Sequence, residues 1–137
     1  MQAFFPAMSL PEINKISMLD LAHVGDAVYE LLYRSKLCVD GHTNVKELHK
    51  MTVAFVNASA QASAAEKLMP FLTEEEAGVF KRGRNTKVNS VPHNADISQY
   101  HAATGLEALF GWLFLQGKQE RIDYLFSVIV EDKANAD

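Results

Sequence analysis

The chain has 137 residues, 48% of them apolar and 22% charged, with a formal net charge of −4. That length suits one domain with a sizeable core, and the balance is that of a globular protein rather than a disordered or membrane-embedded one. Cys38 is the only cysteine, which excludes an intrachain disulfide framework and a Cys-based zinc site. The acidic balance also means that any polyanion must be met by a local basic patch.

We expect a single domain over residues 1–137, with its core at about 18–130 and frayed ends at 1–9 and 132–137. The N-terminal stretch lacks the order of a signal peptide and is interrupted by Pro6 and Pro11. The longest nearly apolar run, 102–115, is too short to span a bilayer and carries Glu107. A cytoplasmic location is expected.

No stretch sustains the period-two alternation of a strand, whereas several carry helical spacing. Over 18–36, Leu21, Val24, Val28 and Leu32 recur at three- and four-residue steps and form one apolar stripe. Gly41 and His42 then break the chain. Asn44 followed by Glu47 has capping-box spacing and predicts a second helix to about Met69, ended by Pro70. Its middle, AFVNASAQASAA, is small enough for close helix approach. Thr73 with Glu76 repeats the capping spacing and predicts a short helix to about Arg82, whose acidic first turn suits the positive end of the helix dipole. Gly, Asn, Ser and Pro punctuation over 83–95 predicts a loop. Asp96 with Gln99 opens a helix through Leu115, Gly117 stops it, and 118–131 forms the last helix. The expectation is an all-α fold, a compact helical bundle.

Three features carry chemistry. In LAHVGDAVYE (21–30), Asp26 and Glu30 lie one turn apart on a face shared with Ala22 and His23. Gly25 costs such a helix about 1 kcal/mol relative to alanine, which is easier to justify if another backbone or a ligand comes close. In AATGLEALFGWLFL (102–115), Glu107 is the only charge, and a carboxylate among apolar side chains needs a cation, a donor or a proton. Magnesium is a suitable cation, because it takes carboxylate oxygens and keeps several waters. In KRGRNTKVNSVPHN (81–94), Lys81, Arg82, Arg84 and Lys87 stand in a stretch without acids, where they could follow a phosphate backbone. The competing readings are a solvated helix face, a structural ion pair or dimer seam, and a solvated basic loop.

Taken together, VGDAVYE (24–30) and LEALFGWLFL (106–115) resemble the two acidic helices of the ribonuclease III family. ELHKMTVAFVNASAQA (47–62), FLTEEEAGVFKRGRN (71–85) and LFLQGKQERI (113–122) resemble its Mini-III branch, which is the nuclease domain alone. The similarity runs over about 18–130 in unbroken order. It implies a homodimer of the ribonuclease III endonuclease-domain type that uses Mg2+, with Mn2+ able to substitute. It also implies hydrolysis of double-stranded RNA to 5′-phosphate and 3′-hydroxyl ends. Asp26 and Glu107 match the family's metal-ligand pair. The branch is associated with trimming large-subunit ribosomal RNA precursors, so pre-23S rRNA is the implied RNA partner and a ribosomal protein a candidate accessory.

Two departures stand out. Full-length members carry a glutamate four residues before the signature aspartate, where this chain has Ala22. They also carry an aspartate three residues before the second-helix glutamate, where this chain has Thr104. Both are typical of Mini-III and argue against a four-carboxylate metal site. The expected mechanism is metal-assisted hydrolysis on Asp26 and Glu107, with Thr104 orienting a water and Lys81, Arg82, Arg84 and Lys87 gripping phosphates. A dimer is also expected from the apolar surplus of 18–32 and 102–115, including Phe110, Trp112 and Phe114. Two rivals stay open: a catalytically silent RNA-binding or ribosome-assembly module of the same fold, and a helical dimerisation protein whose basic segment contacts another protein.

Overall fold

The structure is a computed structural model that describes residues 4–87 and 96–131. Its helices are α1 (Leu10–Ile13), α2 (Met18–Val39), α3 (Val45–Phe55), α4 (Ala58–Leu68), α5 (Glu74–Arg84), α6 (Ile97–Leu115) and α7 (Gln119–Val130), with a 3-10 turn at Met69–Phe71. Among the described residues there is no strand. The expected all-α bundle is what forms.

Local chemistry explains most boundaries. Ser17 accepts from the Asp20 amide at the start of α2, and Thr73 with Glu76 forms a reciprocal capping box at the start of α5. Asp96 accepts from the Ser98 and Gln99 amides at the start of α6. Gly41 and Gly117 follow the ends of α2 and α6 with φ of 97° and 76°, backbone that other residues rarely adopt.

Three expectations need correction. The predicted helix from Asn44 to Met69 is two helices, because Asn57 caps both sides of a break. Its Oδ1 accepts from the Ala60 amide at 2.9 Å, while its Nδ2 donates to the carbonyls of Val53 and Ala54 at 3.0 Å each. Of the ends expected to fray, residues 4–9 lead into α1, where Ser9 and Glu12 form a capping box and the Met8 amide donates to the Leu115 carbonyl, while residues 1–3 and 132–137 lie outside the described residues. The third correction is that α5 runs on to Arg84, so Lys81, Arg82 and Arg84 are helical, and only Lys87 of the four cations follows the helix. Residues 88–95 of the expected loop lie outside the described residues.

The axis of the bundle is α6. Ten of its residues, at 103–106 and 108–113, are buried, and a helix enclosed on every side has to be apolar all round. It packs against α2, α4 and α5. The α2–α6 crossing is made by glycines: a Cβ on Gly25 would lie 1.6 Å from the Glu107 carbonyl oxygen, and one on Gly111 would lie 2.0 Å from that of Leu21. The Gly25 expected to admit a backbone or a ligand admits a backbone. At the α5–α6 crossing a Cβ on Gly105 would lie 2.7 Å from the Phe80 carbonyl oxygen.

Candidate active site

Asp26 follows Gly25 directly, so the contact that seats α2 on α6 also sets Asp26 beside Glu107. Asp26 is exposed and Glu107 half-buried. Burial pushes the Glu107 carboxyl up to about 7; a hydrogen bond from Gln61 opposes that rise, and the neighbouring Asp26 carboxylate adds to it. Neither acid has an ion pair with Lys, Arg or His among the described residues. Two facing carboxylates without a basic partner repel each other unless a proton or a cation lies between them.

The hydrogen bond comes from α4, where Gln61 Nε2 donates to Glu107 Oε2 at 3.2 Å. Gln61 is only 5% exposed. It was not singled out in the sequence. The available signal was a lone amide in an alanine-rich stretch, but its direction depends on the Asn57 break, which the spacing had not predicted. Beneath the pair lies Tyr29, stacked on Phe55 and edge-on to Phe110 and Phe126. Its hydroxyl is buried without a hydrogen-bond partner among the described residues, and burial, then the Glu107 charge, raises its pKa strongly.

The remaining candidates are spread out. Thr104 is buried one turn before Glu107, and its hydroxyl donates to the Tyr100 carbonyl at 3.0 Å. With that proton committed, its oxygen can serve a water only as an acceptor. Arg84 lines a cleft between α4 and the start of α6, with Ser63, Glu66, Asp96, Ser98 and Gln99, which includes neither Gln61 nor Glu107. Arg82 lines a different cleft, beside Leu10, Asn14 and Trp112. Lys81 and Lys87 are exposed. The cations therefore do not form one strip. Glu30, the other acid of the α2 face, pairs with Arg34.

The donor set suits a hard divalent cation. Carboxylate oxygens are the ligands that magnesium takes, and two of them leave it room to retain water. Among the described residues no cluster of three or more His, Cys, Asp or Glu could enclose a metal.

A broad apolar groove of about 910 Å³ runs along the outer face of α2, lined by Val24, Ala27, Leu31, Phe114 and Ile122 among others. Leu31 is 63% exposed, whereas Phe110 and Trp112 are buried within the chain. Phe110 and Trp112 of α6 are thus consumed internally, whereas the groove joins exposed Leu31 of α2 to Phe114 near the end of α6.

Residues 19–118 match the Ribonuclease III domain family. A Mini-ribonuclease 3 of Brevibacillus brevis is 48% identical over 80% of this chain and 81% of its own length. One of Symbiobacterium thermophilum is 46% identical over 76% and 80%. A crystal structure of a protein from Fusobacterium nucleatum superposes with a TM-score of 0.77 at 33% identity, covering 87% of this chain and 95% of that one. The chain therefore belongs to the ribonuclease III family, in the Mini-III branch of endoribonucleases.

Proposed function

We propose that this endoribonuclease cleaves double-stranded RNA in a magnesium-dependent reaction, with Asp26 and Glu107 as the metal ligands. The observation that carries the reading is the pair itself: two acids from different helices, seated together by glycine packing and without a basic partner among the described residues. When bound, magnesium supplies neutralisation of charge on the scissile phosphate and activation of the attacking water. Asp26 and Glu107 provide the negative pocket, Gln61 orients Glu107, and Thr104 offers an acceptor to an adjacent water. Arg84, in the cleft between α4 and the start of α6, would hold a phosphate of the duplex away from the pair. Arg82, Lys81 and Lys87 would contact the duplex further away.

A second copy of the chain would cover the α2 groove, since Leu31 and Val24 form an apolar surface of the kind split between homodimer subunits. Two-fold symmetry would then place one site on each strand of a duplex. The resemblance to Mini-III makes pre-23S rRNA the RNA to test first.

The deciding experiment is cleavage of a duplex RNA, with and without Mg2+, by the wild type, Asp26→Asn and Glu107→Gln. We expect metal-dependent cutting by the wild type and none by either folded variant. Cutting by a variant at the wild-type rate would remove that residue from the site. RNA binding without cleavage by the wild type would favour the silent RNA-binding module instead.

A further inference from the structure

The two carboxylates are held to different degrees. The main chain at Glu107 is locked, because Gly25 rests on its carbonyl. The Glu107 side chain extends beyond that contact through several rotatable bonds, and main-chain packing does not decide where its oxygens point. Its side-chain hydrogen bond comes from Gln61, on a third helix. Gln61 is not needed to start α4, since Asn57 caps that helix. A buried amide is costly unless it is hydrogen-bonded, and this one is spent on a carboxylate of the site.

We propose that Gln61 is a positioning residue for the divalent cation: its Nε2 holds Glu107 Oε2, leaving the other oxygen to face the cation beside Asp26. This rests on the metal-dependent reading above. Partners that orient a metal ligand are worth about 10–100-fold in metal affinity. The dependence is acute here, because Ala22 and Thr104 stand where further carboxylates could have compensated for a wandering Glu107. It also assigns a role to the Asn57 break, which re-aims α4 so that Gln61 meets α6.

The test is Gln61→Met, which keeps the length of the side chain and removes the donor. Calorimetric titration of the RNA-free protein with Mn2+ should show at least about tenfold weaker binding. The Mg2+ concentration giving half-maximal cleavage should rise in parallel, and saturating Mg2+ should restore kcat with KM for the duplex unchanged. Wild-type Mn2+ affinity in folded Gln61→Met, or a lost rate that Mg2+ does not restore, would overturn the proposal. If that variant fails to fold, Gln61→Asn keeps an amide but is one methylene too short to reach Glu107. It should show the same loss, and wild-type Mn2+ affinity in it would equally overturn the role. A wild type that neither binds Mn2+ nor cuts duplex RNA sinks the functional reading itself. A wild type that does both, matched by its Gln61 variants, sinks only the positioning role.

Discussion

Replacing Gly25 with alanine perturbs fold and site through one added methyl. The new Cβ would sit 1.6 Å from the Glu107 carbonyl oxygen, 2.5 Å from its carbon and 2.8 Å from the Gly111 nitrogen, where ordinary contact begins at 3.4 Å. All three obstacles are main chain, so no side chain can rotate away and α2 must shift by close to 2 Å. Overpacking a close contact costs about 1–3 kcal/mol, and more where nothing yields. The gain from placing alanine in a helix offsets about 1 kcal/mol of that. A net loss of about 2 kcal/mol should lower the melting temperature by roughly 6–10 °C for a chain of this size. Because the shift separates Asp26 from Glu107, cleavage should fall by about a hundredfold even in the folded fraction, as displacements of about 1 Å do in active sites. Gly111→Ala, aimed at the Leu21 carbonyl at 2.0 Å, should behave alike. Gly78→Ala is the control: its Cβ would meet only the end of the Arg82 side chain at 3.4 Å, so it should stabilise α5 by about 0.5–1 kcal/mol. Thermal unfolding of the three variants beside a duplex-cleavage assay decides the matter. Gly25→Ala melting at or above the wild type with full activity would refute the glycine-seated site.

Glu76 is buried; burial would raise its carboxyl, but the Arg121 guanidinium and the Thr73 amide outweigh that and hold it below the ordinary carboxylate range. A depressed carboxyl contributes stability above its unfolded value and loses it on acidification. Glu76→Gln should therefore cost about 2 kcal/mol at pH 7, and the gap to the wild type should close as pH falls below about 4.5; a gap independent of pH would show that the charge is not responsible. Arg84→Ala should weaken duplex binding and lower the salt slope by about one per lost phosphate contact, with Arg82→Ala doing less; an unchanged slope for Arg84→Ala would remove it from the interface. Leu31→Glu, on the α2 groove, should convert a dimer into monomers in sedimentation, and a wild type that is already monomeric would refute the second-copy reading.

Much of the fold was legible because helix starts are local chemistry. Thr73 with Glu76 and Asp96 with Gln99 announce α5 and α6 within four residues of sequence. The Asn57 break was not legible, although asparagine is a good N-cap, because the alanine-rich stretch around it has helical propensity on both sides. Only tertiary packing makes two short helices better than one long one: Phe55 at the end of α3 packs on Tyr29 and Tyr33 of α2 and on Phe126 of α7, while α4 packs on α6. The same gap hid α1: a four-residue helix has no periodicity to read, and the contact of Met8 with Leu115 joins residues far apart in sequence.

At the site, the sequence showed which residues were out of place but not what satisfied them. Glu107 among apolar neighbours and Gly25 inside a helix each violate a local preference, and both violations are relieved at one spot, where the glycine admits the backbone of the glutamate. That coincidence ties the two anomalies together: the glycine brings Asp26 beside a carboxylate whose burial already calls for a cation, a donor or a proton. Gln61 violates nothing locally, since an amide on a helix is unremarkable until a partner helix buries it. Phe110 and Trp112 show the opposite error. Large aromatic side chains on a helix suggest a partner surface, yet α6 is enclosed by α2, α4 and α5 and spends them within its own chain. The groove proposed for a partner runs along α2 and is closed by Phe114 and Ile122. The proposed metal-ligand Asp26 and the proposed subunit contact therefore share α2, so a second copy docked on its outer face would press it against α6, where Gly25 holds Asp26 beside Glu107.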